Sequence, residues 1–329
     1  MVVVGAGFFG THVARRLRDA GVPVLVAARS HGDARVDVER DDSLRSLVRE
    51  GDVIVDTAGP HAHRTTRLLE AAIELGCDVI DIAESLAWSD RVLALRDRVA
   101  RAGVRVYPAC SAVAAVTGAC VVASAIATPD RVDQFLAPAG AETASPATVR
   151  GFVASLGRPM RMLRTGRAVT VRGYAARCAF PSGRRRGGRV ESAATALLPL
   201  AWPSLRDVDF WVDPNVPLGC DALSLVARLP PLAAVARALL PRVPVRRVGR
   251  HDGTFAVRVA DATHAATFTF TAPRGSYLIA VTPAVLVADA LARGATPPAG
   301  VVLPNAVVEP DVLFARLRSF GISVEQIAR

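Results

Sequence analysis

Three valines, Val2-Val3-Val4, run straight into Gly5-Ala6-Gly7-Phe8-Phe9-Gly10, and a helical pattern over residues 11–20 follows at once. This is GxGxxG set between a strand and a helix, and each glycine has its own physical task there. Gly5 makes the tight turn, Gly7 leaves space for a phosphate against the backbone, and Gly10 lets helix and strand pack closely. The helix N-terminus adds free N–H groups and the positive end of its dipole. Val13, Ala14 and Leu17 share one helical face, and Gly21 stops the helix. The motif restricts the start of the chain to a βαβ unit that cradles a dinucleotide through residues 5–10. A glycine-rich turn without a ligand is the alternative.

The same alternation continues to about residue 125. Apolar strand patterns at 24–27, 35–38, 52–56, 78–82 and 104–107 are separated by helical patterns at 43–50, 64–75 and 91–102. Six strands with crossovers predict an α/β fold, a Rossmann doubly wound parallel sheet over 1–125. Beyond it, 126–282 reads as a mixed α+β domain for substrate binding or oligomerisation. It holds a hairpin at 161–172 around Thr165-Gly166, a PSGRRRGG loop tip at 181–188, and a second hairpin at 254–270. Residues 283–329 read as two helices around a Pro-rich turn.

The end of the second strand selects the cofactor. Sites that prefer NAD(H) place Asp or Glu there for the ribose 2′-hydroxyl, but this strand ends Ala27-Ala28-Arg29-Ser30. Arg29 suits a 2′-phosphate and Ser30 adds a hydroxyl donor, so NADP(H) is expected over NAD(H). Asp37 either caps a turn or meets the adenine amino group. Thr57-Ala58-Gly59-Pro60 closes the fourth strand near the topological switch point, where the nicotinamide half of the cofactor belongs.

Composition removes several chemistries. The sequence has no lysine, so all 40 strong bases are arginine and the net charge is +10. Schiff-base catalysis and a lysine base are therefore excluded. Residues 143–190 carry eleven arginines and no carboxylate, which points to an anionic small molecule or carrier-bound acyl group, or simply to a solvated basic face. Only Tyr174 lies among those arginines, so nucleic-acid binding is not expected. Five cysteines without CxxC spacing argue against a disulfide framework and a zinc site. The uncharged run 106–129 reads as a buried strand–turn–helix rather than a membrane span. The stretch 223–240 suits a core helix, a dimer face or surface membrane contact. A cytoplasmic homodimer without a transmembrane segment is expected.

The segments GAGFFGTHVARRL, DVIVDTAGPH, AAIELGCDVIDIAES and GVVLPNAVVEPDVLFARLRSFGI resemble saccharopine dehydrogenase-like oxidoreductases. The resemblance covers the first domain well and the tail moderately; over 130–250 only the hydrophobic outline is similar. It implies a Rossmann domain interrupted by a mixed α/β domain, with the C-terminal helices returning to the Rossmann domain. It also implies hydride transfer, in different members, to or from imines, secondary amines or an enoyl C=C bond; with the cofactor reading above, an NADPH-dependent reductase of a C=N or C=C bond is expected. The chain departs from the family in lacking a lysine for an acid–base pair. It also reads Pro108-Ala109-Cys110-Ser111-Ala112 where many relatives turn on glycines.

Hydride transfer needs positioning and one proton donor or acceptor. Glu84, just past the fifth strand, is the first candidate, with capping of the helix near Leu86 as its other role. His61 could protonate product or hold a carboxylate, or be an exposed loop histidine. Cys110 and Ser111 border the same crevice, Cys110 as a nucleophile or as packing. Arg150 is the candidate carboxylate clamp. A non-catalytic NADP-binding module, or an epimerase or dehydratase type of enzyme recycling bound NADP, are the competing functions.

Overall fold

The computed structural model describes residues 1–183, 185–247 and 249–328. Two compact units divide the chain, Met1–Gly118 with Ala280–Glu309, and Ala119–Ile279 with Pro310–Arg329.

In the first unit, runs such as Val2-Val3-Val4 are buried on both faces, as a parallel sheet covered by helices requires. Its strands are β1 (Val2–Val4), β2 (Leu25–Ala28), β3 (Ala34–Arg35), β4 (Val53–Asp56), β5 (Asp78–Asp81) and β6 (Arg105–Tyr107). A further short strand, Gly300–Val301, pairs in parallel with β6. The order is Gly300–Val301, β6, β5, β4, β1, β2, β3, all parallel. The chain therefore reverses direction across the sheet between β1 and β4, and their carboxyl ends flank the switch point. Helix α1 (Phe8–Asp19) buries Gly10, Val13, Ala14 and Leu17.

Some boundaries differ from the sequence reading for local reasons. The expected helix at 64–75 starts late, as Arg67–Glu74 after a 3-10 turn at His61–His63, because Arg64 is drawn into the interior. The expected helix at 91–102 is two helices, Leu86–Ala94 and Arg96–Ala102, meeting at Leu95. The run after β6 coils through Ala112–Val116 into helix Thr117–Ala123. Among the described residues no helix is long and apolar enough to cross a membrane.

The second unit is built on a mixed sheet. Its strands are β7 (Arg131–Ala137), β8 (Pro159–Arg164), β9 (Arg167–Arg172), β10 (Arg177–Ala179), β11 (Arg186–Arg189), β12 (Asp207–Val212), β13 (Gly253–Ala260) and β14 (Ala265–Ala272). They run β10-β11-β12-β7-β13-β14, with β8 paired to β12 and β9 paired to β8. Only the β7–β12 pair is parallel among these. Thr165 and Gly166 turn the β8–β9 hairpin with φ of 47° and 76°, the two positive values a type I′ turn needs.

The tail differs from expectation. Residues 280–309 sit in the first unit, but helix Pro310–Ser319 belongs to the second and does not return to the Rossmann domain. Its Phe314 ring lies 5.9 Å and 5.7 Å from the rings of Phe268 and Phe270 on β14. The last residues, Ser323–Ala328, then add an antiparallel strand to β14.

Candidate active site

The glycine loop has the geometry its spacing demands. Gly5 sits at φ +106° and donates its N–H to Ala27 O at 2.8 Å, tying the loop to the end of β2. A Cβ on Gly10 would lie 1.8 Å from Gly5 O and 2.5 Å from Thr57 Oγ1, so strand and helix touch there. A Cβ on Gly7 would meet nothing within 4 Å. Gly7 is the N-cap of α1; no side chain caps that terminus and its first turn holds no acid. An exposed, uncapped helix N-terminus beside an open glycine fits a pyrophosphate. Ala6, Phe8 and Phe9 are half-buried around it, with the two phenyl rings 5.3 Å apart, edge to face. Thr57 Oγ1 lies 3.0 Å from the carbonyl oxygens of both Val4 and Gly5, fastening the β4 turn to the glycine loop.

Beyond β2 and β3 lies a cavity of about 440 Å³ whose lining includes Arg29, Arg35, Arg40, Asp37, Asp42 and Ser43. Arg29 and Ser30 are exposed. Arg40 pairs with Asp42 at 2.7 Å, while no ion pair holds Arg29 or Arg35 among the described residues. Asp37 accepts the Glu39 N–H at 3.1 Å, and its own N–H donates to Ser43 Oγ at 2.9 Å. Its carboxylate thus serves a turn.

The carboxyl ends of β4, β5 and β6 carry a buried polar cluster. Asp56, ending β4, accepts Arg64 Nη1 at 2.8 and 3.0 Å, and the same nitrogen donates to Ala58 O at 2.7 Å. His61 Nε2 lies 3.6 Å from Asp56 Oδ1. Burial alone pushes the Asp56 carboxyl up, but His61 and Arg64 outweigh it and hold the group below the usual carboxylate range. The Trp88 indole lies 5.5 Å from the His61 ring, with the Arg64 and Arg91 guanidinium carbons 5.4 Å and 5.5 Å from its ring centre. Its Nε1 donates to Asp81 Oδ2 at 3.0 Å. Burial pushes the Asp81 carboxyl up, against the N–H groups of Trp88, Ala109 and Ala83 and the charge of His61. His61 Nε2 and Arg64 Nε and Nη2 are buried with no hydrogen-bond partner among the described residues. Buried polar atoms of this kind need an explanation, and a bound anion is one.

Three residues after Asp81 the chemistry changes. Glu84, half-buried, accepts the Ser111 hydroxyl at 3.0 Å. Burial raises its carboxyl above the ordinary value, and the hydrogen bond only partly offsets this. Glu84 does not cap the next helix; Ser85 does, accepting the Trp88 N–H at 3.3 Å. Ala109, where relatives were expected to turn on glycine, takes φ +47° and donates its N–H to Asp81 Oδ1 at 2.9 Å. That carboxylate pins a conformation that costs about 1 kcal/mol for a residue with a Cβ.

Three expectations change. Cys110 is fully buried and burial pushes its thiol well up, so it packs the core and supplies no thiolate. His61 is not an exposed loop histidine. Arg150 lies on the exposed last turn of helix Pro146–Val153, which starts at the Ser145 cap and not near Gly151. Nor is the arginine-rich segment bare. Arg164 pairs with Asp207 and Asp209, Arg189 with Asp209, Arg185 with Asp252 and Arg177 with Asp221. Those acids lie beyond the segment in sequence, which is why counting within it misled; its Arg184 lies outside the described residues. Sequence reasoning also missed Arg64, Trp88, Arg91, Arg35 and Arg40. Its one usable signal was Arg64 and Asp56 flanking the Gly-Pro turn.

Residues 1–106 match the family model described as saccharopine dehydrogenase NADP binding domain. No curated protein sequence matches the chain. Similar solved structures include the DAP dehydrogenase of C. glutamicum in complex with DAP, 12% identical, covering 95% of this chain and 94% of that one at TM-score 0.46. GenD2 from gentamicin A biosynthesis in complex with NAD is 15% identical, covering 100% and 95% at 0.44. Dipicolinate-bound dihydrodipicolinate reductase from Paenisporosarcina sp. TG-14 is 9% identical, covering 92% and 96% at 0.41. All three bear oxidoreductase names or a nicotinamide cofactor, but likeness at this level carries nothing about substrate. The seven-stranded parallel sheet, the glycine loop and the match over residues 1–106 agree in making the N-terminal part of this chain similar to the saccharopine dehydrogenase NADP binding domain.

Proposed function

We propose that the protein is an NADP(H)-dependent oxidoreductase acting on a C=N or C=C bond of a small anionic or carrier-linked substrate. The observation that carries this reading is the open Gly7 at the uncapped N-terminus of α1, beside the switch point. The preference for NADP(H) rests on Arg29 and Arg35 lining the cavity past β2 and β3, where a 2′-phosphate would find two guanidinium groups and no acid at the strand end. Thr57, Ala58, Gly59 and Pro60 form the wall on the nicotinamide side. When bound, the nicotinamide supplies or accepts the hydride. Glu84, whose raised carboxyl favours the protonated form, is the proton donor, and Ser111 holds it in place. Arg64, whose Nη2 is buried without a hydrogen-bond partner, holds the substrate anion, with His61 beside it.

Titration with NADPH and NADH, read by nicotinamide fluorescence, tests the cofactor half. NADPH is expected to bind at least tenfold tighter, and Arg29→Asp to weaken it by about tenfold to a hundredfold, the worth of a charge-assisted hydrogen bond. Failure of both nucleotides to bind removes the oxidoreductase reading. NADPH bound but never consumed with imine or enoyl acids leaves a binding module.

The proton half predicts a pH dependence. Glu84 has its folded pKa raised, so the protonated donor is complete at low pH and reductive turnover falls as pH rises through that raised value. The Ser111 hydrogen bond lowers the pKa, so Ser111→Ala is expected to move the fall to higher pH. Glu84→Gln keeps NADPH affinity and stability within about 1 kcal/mol of wild type while turnover drops by about a hundredfold or more. A Glu84→Gln enzyme as fast as wild type removes Glu84 from the reaction.

A further inference from the structure

Large apolar side chains are exposed on one stretch of the second unit far more than elsewhere. Leu218, Leu225, Leu229, Leu232, Val235, Leu239 and Val243 are 46–81% exposed, against Val122, Leu200, Val312 and Ile327 in the rest of the described residues. They belong to two helices packed on each other, Gly219–Ala227 and Pro230–Leu239, and to the residues flanking them. Leu232, Val235 and Leu239 fall at helical spacing and give the second helix an apolar stripe, while Leu225 of the first helix and its flanking Leu218 and Leu229 add exposed apolar side chains beside it. The opposite sides are already used, by Cys220, Ser224 and Ala227 in the first helix and Ala233 in the second. A surface helix ordinarily turns polar residues outward; these do the reverse.

Arginine outnumbers acid around the stripe, where Asp252 is paired with Arg250 and Arg185 and Glu142 faces His251. Residues 222–251 contain six arginines and no Asp or Glu. Arg228, Arg242, Arg246 and Arg247 are exposed. Asp221 is likewise engaged, by Arg177. A second copy is a poor occupant, since a two-fold contact places this face on itself and brings together more arginines than carboxylates to meet them. An apolar stripe rimmed by arginine complements an anionic bilayer, with leucines entering the headgroup boundary and guanidinium groups meeting phosphates.

We propose that the Leu218–Val243 face docks the protein on an anionic lipid surface, lying on the membrane rather than crossing it. Sedimentation of the full chain with phosphatidylcholine vesicles, with and without phosphatidylglycerol, tests this. Binding is expected to be at least tenfold tighter to the anionic vesicles and to weaken with salt. Leu232→Glu/Leu239→Glu should abolish it, and Arg246→Glu/Arg247→Glu should weaken it about tenfold. Both variants change only exposed positions, and an unchanged melting temperature shows that each is folded. Three outcomes overturn the proposal: no sedimentation with anionic vesicles, binding unaffected by either variant, or a wild-type dimer that Leu232→Glu/Leu239→Glu converts to monomer without any vesicle binding.

Discussion

Gly10→Ala is expected to destabilise the N-terminal unit by about 3 kcal/mol or more, whereas Gly7→Ala leaves it folded and removes nucleotide affinity. The two glycines are three residues apart in one motif, yet their surroundings are opposite. At Gly10 the added methyl would overlap the Gly5 carbonyl oxygen at 1.8 Å and press on Thr57. The overlapping oxygen is backbone, fixed by the Gly5–Ala27 hydrogen bond, so α1 must move off β1. At Gly7 the φ of −77° is ordinary for any residue and a methyl meets empty space. Alanine there costs less than about 1 kcal/mol as an N-cap, but the methyl fills the space a phosphate must use. Thermal melts and NADPH titration of both variants check this. A Gly10→Ala protein that melts like wild type would mean the strand–helix contact is looser than the geometry states.

Arg64→Met is expected to cost about 3 kcal/mol, more than a surface ion pair contributes, because it leaves the buried Asp56 carboxylate with only His61 beside it. Asp56 is about 1% exposed and Arg64 about 9%. The sign of the pH effect follows from the direction of the shift. Asp56 is held below its unfolded value, so the pair's contribution is present above the unfolded carboxylate value of about 3.9 and is lost as pH falls toward the folded one. In Arg64→Met the carboxyl rises, and acid unfolding should begin at higher pH than in wild type. Asp56→Asn/Arg64→Met should recover much of the loss, since no buried charge then stands alone. Denaturant melts across the acid range measure all three. Equal acid midpoints for wild type and Arg64→Met would show that Arg64 does not set the Asp56 charge.

The Rossmann sheet was legible because buried parallel strands are uninterrupted apolar runs and because three glycines fix one turn. The site at its edge was less so. Asp56 reads as a strand-end acid, and only the folded chain reveals that Arg64, eight residues on, turns inward to meet it. His61 looks like a loop residue until Trp88, from after β5, is laid against it. Cys110 fails as a nucleophile through burial by distant elements, which no local spacing encodes. The last strand was invisible for a different reason. Ser323–Ala328 lies at a sheet edge and is exposed at all but one position, so it carries no apolar alternation to read.

The Gly300–Val301 strand has a consequence for synthesis. Its residues close the β6 edge of the nucleotide-binding sheet, and Gly118 is packed so tightly on Pro304 that a Cβ would fall 2.2 Å from the Pro304 oxygen. A ribosome delivers these partners nearly two hundred residues after β6. The β6 edge of the N-terminal sheet therefore stays without its neighbour while the whole β7–β14 region emerges. Until then the β6 edge offers unpaired backbone groups, the feature on which strand-to-strand aggregation acts.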